Sequence, residues 1–401
     1  MSLPVMLDLR GRRVVAVGGG SVTARRVATF VAEGAVVEVI APTLDPVLAA
    51  LVADGSITWT GRRYVGAVDL AGAWLVHVAT ADDGVDALVA DDADRARIWC
   101  VRAGSAALTP AALPARATLT TPDGPVQVAA YAAGDPRRAV AVRNSIIRES
   151  AEGRLDLRGH RPRQLGWVAL VGGGPGAGGL LTTRGAQLLA SADVVVVDRL
   201  APMGVLKHLP DAVRVIDVGK SPTRHPVPQH EINAILVDEA RRGHAVVRLK
   251  GGDPYVLGRG GEERLHCEAH GIPVEVVPGV SSAVAVPAAA GIPVTHRGVA
   301  RGFTVMTGHE DLPSLPGGSD HTLVVLMGVA QLAETSRHLL EHGRPASTPV
   351  AVIERGFAPD QRTTFGTLAT IADIARSREV SNPAVVVVGD VVRLAPDYPD
   401  A

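Results

Sequence analysis

VGGGPGAGGLLTTRGAQLLASADVVVVDRL, residues 171–200, holds a strand end, a glycine–proline loop, a helical stretch and a second apolar strand in one short run. The strand begins upstream at Val168-Ala169-Leu170, and the loop is Gly172-Gly173-Gly174-Pro175-Gly176. Short Val-rich strands alternating with helical stretches are the pattern of an α/β domain. The same opening stands near the N-terminus, where Val14-Val15-Ala16-Val17 runs into Gly18-Gly19-Gly20 and then a helical pattern from Ser21 to Glu33. Two such openings in 401 residues predict two α/β domains, because single cores seldom grow past roughly 250–300 residues. Between them Arg148–Arg163, RESAEGRLDLRGHRPR, is dense in charge and reads as a solvated linker. The predicted division is a domain over 1–150, a linker over 151–165 and a second domain over 166–401.

Composition narrows the function. The 40 Lys+Arg against 41 Asp+Glu and 3% aromatic residues argue against nucleic acid as a partner. Any anionic ligand must be caught by local arginines and helix N-termini. Two cysteines, Cys100 and Cys267, make neither a disulfide framework nor a pair-spaced metal site, and they suit a reduced cytoplasm. The opening MSLPVMLDLRGRR carries Asp8 and lacks a long apolar core, so no secretory signal is expected. Val274–Val294 is the most apolar later stretch, but Glu275 and its prolines and glycines speak against a membrane span.

The two glycine loops ask for different ligands. Gly18-x-Gly20 after a buried strand suits a pyrophosphate at a helix N-terminus. Thr23 stands at the third fingerprint position, and Ala41-Pro42-Thr43, without an acid, ends the second strand. The pattern alone therefore leaves a nucleotide loop and a plain tight turn both open. At 172–176 no Gly-Lys-Ser/Thr follows, and Pro175 lacks the N–H of a phosphate cradle. A neutral or cationic ligand lying against backbone carbonyls fits better, with a purely structural turn as the alternative.

Residues 14–43 resemble the opening of precorrin-2 dehydrogenases, the NAD-dependent module of siroheme synthases. The resemblance implies that NAD is held by Gly18, Gly19, Gly20, Ser21, Val22, Pro42 and Thr43, with His77-Val78-Ala79-Thr80 beside the nicotinamide. Where that family carries Asn-x-x-Asp, this sequence reads Val101-Arg102-Ala103-Gly104, with Ser105 the nearest hydroxyl. Metal insertion is therefore an alternative activity and not the expected one, and no metal site is expected. The helical dimerisation segment of the family is shortened here, and a homodimer is the implied assembly.

Residues 171–200 and VRLKGGDPYVLGRGGEE, residues 247–263, resemble the two signatures of the tetrapyrrole methylases. Val218-Gly219-Lys220, Pro228–Asn233, VPGVSSA, TGH and MGV accompany them in order. The match runs over essentially all of residues 166–393 and implies a two-lobed α/β uroporphyrinogen-III C-methyltransferase using S-adenosylmethionine. Its implied cofactor contacts are Pro175, Gly251, Gly252, Asp253, Val256, Ser281, Ser282, Met327 and Gly356. Asp198 and Lys220 match the proposed proton acceptor and donor. For Asp198 a salt bridge with Arg199 is the structural alternative, and for Lys220 a solvated surface position. Arg248, Lys250 and Arg259 are expected to meet substrate carboxylates, and Glu262 and Glu263 to cap or pair a helix start. Two other readings stay open: a non-catalytic first domain, and a second domain acting on RNA or a protein side chain.

Overall fold

The computed structural model of the protein describes residues 3–103, 110–159, 163–207, 209–219, 227–308 and 320–399. The chain forms two compact units, Met1–Leu119 with Gln127–Ile146, and Thr120–Val126 with Ile147–Ala401.

The first unit alternates β1 (Arg13–Val17), α1 (Ser21–Ala32), β2 (Val36–Ile40), α2 (Pro46–Ala53), β3 (Ile57–Thr60), β4 (Leu75–Val78), α3 (Asp83–Arg95) and β5 (Trp99–Arg102). The strands make one sheet in the order β3-β2-β1-β4-β5, every pair parallel. Helices must cover both faces of such a sheet, which is why Val14 to Val17 are all buried. Ala24, Val27 and Phe30 place one stripe of α1 in that core at helical spacing. Asp45 caps α2 through the Val47 N–H at 2.9 Å, with Pro46 at the first helical position. The order reverses between β1 and β4, so their carboxyl ends open the crevice in which such sheets bind ligands. This is the Rossmann-like arrangement the first glycine loop predicts.

A two-stranded ribbon, β6 (Ala115–Thr121) and β7 (Gly124–Ala130), and a helix, α4 (Pro136–Ala151), follow. The segment predicted as a solvated linker from Arg148 differs in two ways. Its first residues are the last turn of α4, and its last, Arg163, forks onto Asp123 and Asp193, both at 2.6 Å. Its cations find carboxylates, which fixes the segment's end instead of solvating it.

The second unit has two sheets. The first comprises β8 (Trp167–Gly172), α5 (Thr183–Ala190), β9 (Val194–Val197), α6 (Met203–Leu206), β10 (Arg214–Asp217), α7 (Gln229–Arg241), β11 (Ala245–Lys250), α8 (Gly260–Ala269) and β12 (Val274–Val277). Its strands run parallel in the order β10-β9-β11-β8-β12. Then come α9 (Ser282–Ala289), β13 (Gly302–Thr307), β14 (His321–Leu326), α10 (Leu332–Glu341), β15 (Pro349–Glu354), β16 (Arg362–Thr367), α11 (Ile371–Ser377) and β17 (Ala384–Val388). Their sheet, β13-β14-β17-β15-β16, pairs β13 with β14 in parallel and the rest antiparallel. Helix α9 couples the two lobes, since Ala283 and Val286 share an apolar cluster with Val324, Ala351 and Val387 of the second sheet. The apolar run from Val274 thus becomes β12 and α9. No described helix is long and apolar enough to cross a membrane.

Candidate active sites

In the first unit the glycine loop is shaped by close approach. A Cβ at Gly18 would overlap the Ala79 carbonyl oxygen after β4, and one at Gly19 the Thr43 carbonyl oxygen after β2. The Asp45 N–H donates to the Gly19 carbonyl at 2.7 Å and fixes that approach. Gly20 differs: a Cβ there would meet nothing within 4 Å. It is the N-cap of α1, and neither a side-chain cap nor a first-turn acid occupies the helix start at Ser21 and Val22. The free N–H groups and the clear space at Gly20 fit a dinucleotide pyrophosphate. Pro42 and Thr43 are exposed beside it at the end of β2.

His77 does not face that crevice. It is 1% exposed beneath α1, its ring 6.3 Å from that of Phe30, and its Nδ1 has no partner. Burial is the main reason that its pKa falls to about 4, so it stays neutral. Thr80 does stand at the crevice, its Oγ1 donating to Asp86 at 2.5 Å and its N–H at 3.0 Å. Arg102 at the end of β5 lies 3.0 Å from Asp83 and 4.0 Å from Asp86. No local pattern in the sequence marks this acidic pair on α3, because strand pairing of β4 with β5 is what brings Arg102 to it. Gly104 and Ser105 lie outside the described residues. Among the described residues no group of three or more His, Cys, Asp or Glu could hold a metal ion.

In the second unit three strand-end loops interlock. The Gly173 N–H donates to Lys250 O at 2.7 Å, and Gly174 and Gly252 exchange backbone hydrogen bonds of 3.2 and 2.7 Å. Asp253 ties in the third loop: its Oδ2 accepts from Gly279 N at 3.0 Å and its Oδ1 from Tyr255 N at 2.8 Å. A Cβ at Gly279 would overlap the Gly252 carbonyl, so the loops meet only as bare backbone. Gly252 has φ +66°, and a Cβ there would lie 3.5 Å from the Ser282 N–H. Ser281 caps α9 through Ala283 N at 3.2 Å. Further along α9, Val286 presses on Gly356, where a Cβ would come within 2.8 Å. Helix α9 therefore joins Gly251–Asp253, Ser281, Ser282 and Gly356. Val256 is exposed on the same loop as Gly252, Pro175 follows Gly174, and Met327 ends β14 half-exposed.

Backbone strain gathers in the same segments. Leu257, Arg259, Met327, Arg355 and Phe357 hold φ of +53°, +59°, +56°, +48° and +67°. Each such non-glycine residue costs on the order of 1–3 kcal/mol, and strain of this kind concentrates at ligand clamps.

Asp198 leaves the sheet at the carboxyl end of β9. Its Oδ1 accepts from Leu200 N at 3.1 Å, which tightens the turn. That turn reaches the cofactor loop, since a Cβ at Gly251 would lie 2.6 Å from the Leu200 carbonyl oxygen. Its ion pair runs to Arg248, at 3.3 Å, and not to Arg199. Arg248 and Lys250 are 3% and 4% exposed and both bind Glu263, at 3.1 and 3.0 Å. Gln229 Nε2, from the PQHEIN stretch, donates to the same Glu263 oxygen at 3.1 Å and to Asn233 at 2.9 Å. Burial lowers the Lys250 pKa, with the Arg248 charge adding to the effect and Glu263 opposing it. These two cations are thus withdrawn from the substrate-binding role expected for them. Arg259 stays exposed, paired with Glu262 at 2.8 Å. Glu262 and Glu263 do pair at a helix start, the first turn of α8. Lys220 lies outside the described residues.

Residues 168–372 match the Tetrapyrrole (Corrin/Porphyrin) Methylases, and residues 5–115 match a family of NAD(P)-binding domains. Siroheme synthase 1 of Cronobacter sakazakii is 38% identical, over 98% of this chain and 94% of its own. An S-adenosyl-L-methionine-dependent uroporphyrinogen III methyltransferase of Methanosarcina barkeri is 51% identical, over 57% of this chain and 93% of its own. The crystal structure of uroporphyrin-III-C-methyltransferase from Thermus thermophilus shares 42% identity at a TM-score of 0.50, covering 57% of this chain and 94% of that one.

Proposed function

The chain belongs to the siroheme synthase family, with a tetrapyrrole methylase as its second half, and from that premise we propose that it C-methylates uroporphyrinogen III with S-adenosylmethionine to give precorrin-2, which its first unit oxidises with NAD to sirohydrochlorin. The observation that carries this reading is the contact between the turn of Asp198 and Gly251. It sets a carboxylate beside the interlocked loops that suit a sulfonium ligand.

Bound S-adenosylmethionine supplies an electrophilic methyl group. Pro175, Gly251, Gly252, Asp253, Val256, Ser281, Ser282, Met327 and Gly356 would hold it. Pro175 offers no N–H to repel the sulfonium, and Met327 gives a soft apolar wall. The nucleophile is an electron-rich pyrrole carbon, so the chain's main contribution is alignment. Asp198 then accepts the proton lost from the methylated ring, and Lys220 is assigned as donor. Bound NAD supplies a hydride acceptor, and Gly18, Gly19, Gly20, Ser21, Val22, Pro42 and Thr43 would hold it with its pyrophosphate at the start of α1.

The proposal includes a homodimer, on the resemblance of the first unit to precorrin-2 dehydrogenases. It also includes a cytoplasmic location, which the free, buried Cys100 and Cys267 suit. Precorrin-2 is a precursor common to siroheme and cobalamin, and supply to either follows from the same chemistry. A coupled assay tests the reading. With uroporphyrinogen III and NAD present, nicotinamide reduction should begin only after S-adenosylmethionine is added. Reduction that ignores S-adenosylmethionine would contradict the sequence of steps.

A further inference from the structure

Residues 196 and 198, like 248 and 250, recur at the two-residue period of a strand, and Arg248 lies in register with Val196. Asp198, Arg248 and Lys250 therefore share the sheet face covered by α7 and α8. Glu263 enters from α8 and is fully buried, between Arg248 and Lys250. The guanidinium of Arg248 is held from three sides. Its Nε donates to Glu263 at 3.1 Å, its Nη1 to the Leu249 carbonyl at 3.3 Å, and its Nη2 to Asp198 at 3.3 Å. Desolvating ions is costly, and well-packed apolar residues generally stabilise a core at least as well. A buried cluster of this kind, with one of its four members 29% exposed at the cofactor loop, calls for a reason other than stability.

We propose that Arg248 is a positioning residue for proton transfer: clamped by Glu263 and the β11 backbone, it aims the Asp198 carboxylate at the cofactor loop. The inference rests on the reading of Asp198 as proton acceptor. A planar fork with several donors can hold Glu263, a carbonyl and Asp198 at once, which a single ammonium cannot. Among the described residues, the charged groups around Asp198 are Arg248 and Lys250 on β11, Glu263 on α8, its neighbour Arg199, and Asp217 on β10. Asp217 Oδ1 accepts from Gly219 N at 2.8 Å. From α7 come the uncharged Gln229 and Asn233.

The test uses the full chain with uroporphyrinogen III, S-adenosylmethionine and three variants, reading kcat, KM and the folded fraction. Asp198→Asn is the control for the underlying reading, and if it stays active that reading fails, whatever the other variants do. Arg248→Met removes the cation but leaves the Glu263–Lys250 pair and a partly solvated Asp198. Without the fork the carboxylate is aimed less well, so kcat per folded molecule should fall about tenfold or more while KM for S-adenosylmethionine is unchanged. Affinity for S-adenosylhomocysteine should be unchanged. Arg248→Lys keeps a charge and loses the fork, so its kcat should fall about tenfold too. A merely structural arginine would lower the folded fraction without lowering kcat per folded molecule. An unchanged kcat per folded molecule in Arg248→Met overturns the proposal. Should that variant fail to fold, a fully active Arg248→Lys overturns it instead.

Discussion

Asp198 and Gly252 separate the two tasks of the methylating site. On the proposed reading the first would carry a proton and the second would give the cofactor room. Asp198→Asn keeps the shape and hydrogen-bonding reach of the side chain while removing its basicity. It is expected to lose roughly 10²-fold or more in kcat, with S-adenosylhomocysteine binding by calorimetry unchanged. Gly252→Val should do the reverse. A branched side chain at φ +66° is strained, and its methyls would extend towards Ser282. Cofactor affinity should fall by about tenfold or more, because the side chain would take up space at the loop where the cofactor would lie, while the circular dichroism of the fold is retained. Equal loss of binding in both variants would make Asp198 a structural residue. Both positions stand out in the sequence because their pattern is local: a carboxylate ending a run of four valines, and glycines at a tight turn. The partner of Asp198 was not legible. Arg199 is next in the chain, whereas Arg248 is brought alongside by strand register, which no local pattern reveals. The same register buries Arg248 and Lys250, which by composition alone looked like substrate ligands.

At the scale of elements, the strand–loop–helix openings were readable from alternation and glycine spacing. The predicted helix from Ser21 to Glu33 is α1, ending one residue earlier. In the linker, charge density does not distinguish solvated arginines from paired ones, and the carboxylates that pair Arg163 lie far away in sequence, at 123 and 193. Strand β4 carries a cost that the sequence did not show, a neutral histidine buried under α1. The unfolded chain binds a proton at His77 below about pH 6.5, whereas the folded one resists it down to about 4. The stability contribution of the neutral ring is therefore complete above pH 6.5 and is lost as the pH falls towards 4. A shift of that size corresponds to about 3 kcal/mol. Three of the four tryptophans, Trp59, Trp74 and Trp99, lie in the first unit and Trp167 in the second, so in a Trp167→Phe background tryptophan fluorescence in urea should follow the unfolding of the first unit. Replacing the ring by an apolar side chain, His77→Leu, should flatten the decline between pH 6.5 and 4. An unchanged slope would show that another group is responsible.

At the scale of the whole molecule, two units with separate sheets carry separate chemistries. The methyltransferase of Methanosarcina barkeri corresponds to little more than the second half of this chain. Residues 164–401 alone are accordingly expected to fold and to methylate uroporphyrinogen III without NAD chemistry. The full chain should do both. A folded fragment that binds S-adenosylhomocysteine but yields no methylated tetrapyrrole would overturn the substrate assignment. The architecture of both units was legible because parallel sheets write themselves as Val-rich runs separated by helices. The mixed sheet of the second lobe and the part α9 plays in joining the lobes depend on long-range pairing and were not. The assignment of a methylated and then oxidised product is tested most directly by the mass of the tetrapyrrole recovered after incubation of the full chain with uroporphyrinogen III, S-adenosylmethionine and NAD. The mass should rise by added methyl groups with S-adenosylmethionine alone, then fall by the hydrogens removed once NAD is supplied, with the absorbance of sirohydrochlorin appearing in step. A tetrapyrrole of unchanged mass, from protein shown to bind S-adenosylhomocysteine, would contradict it.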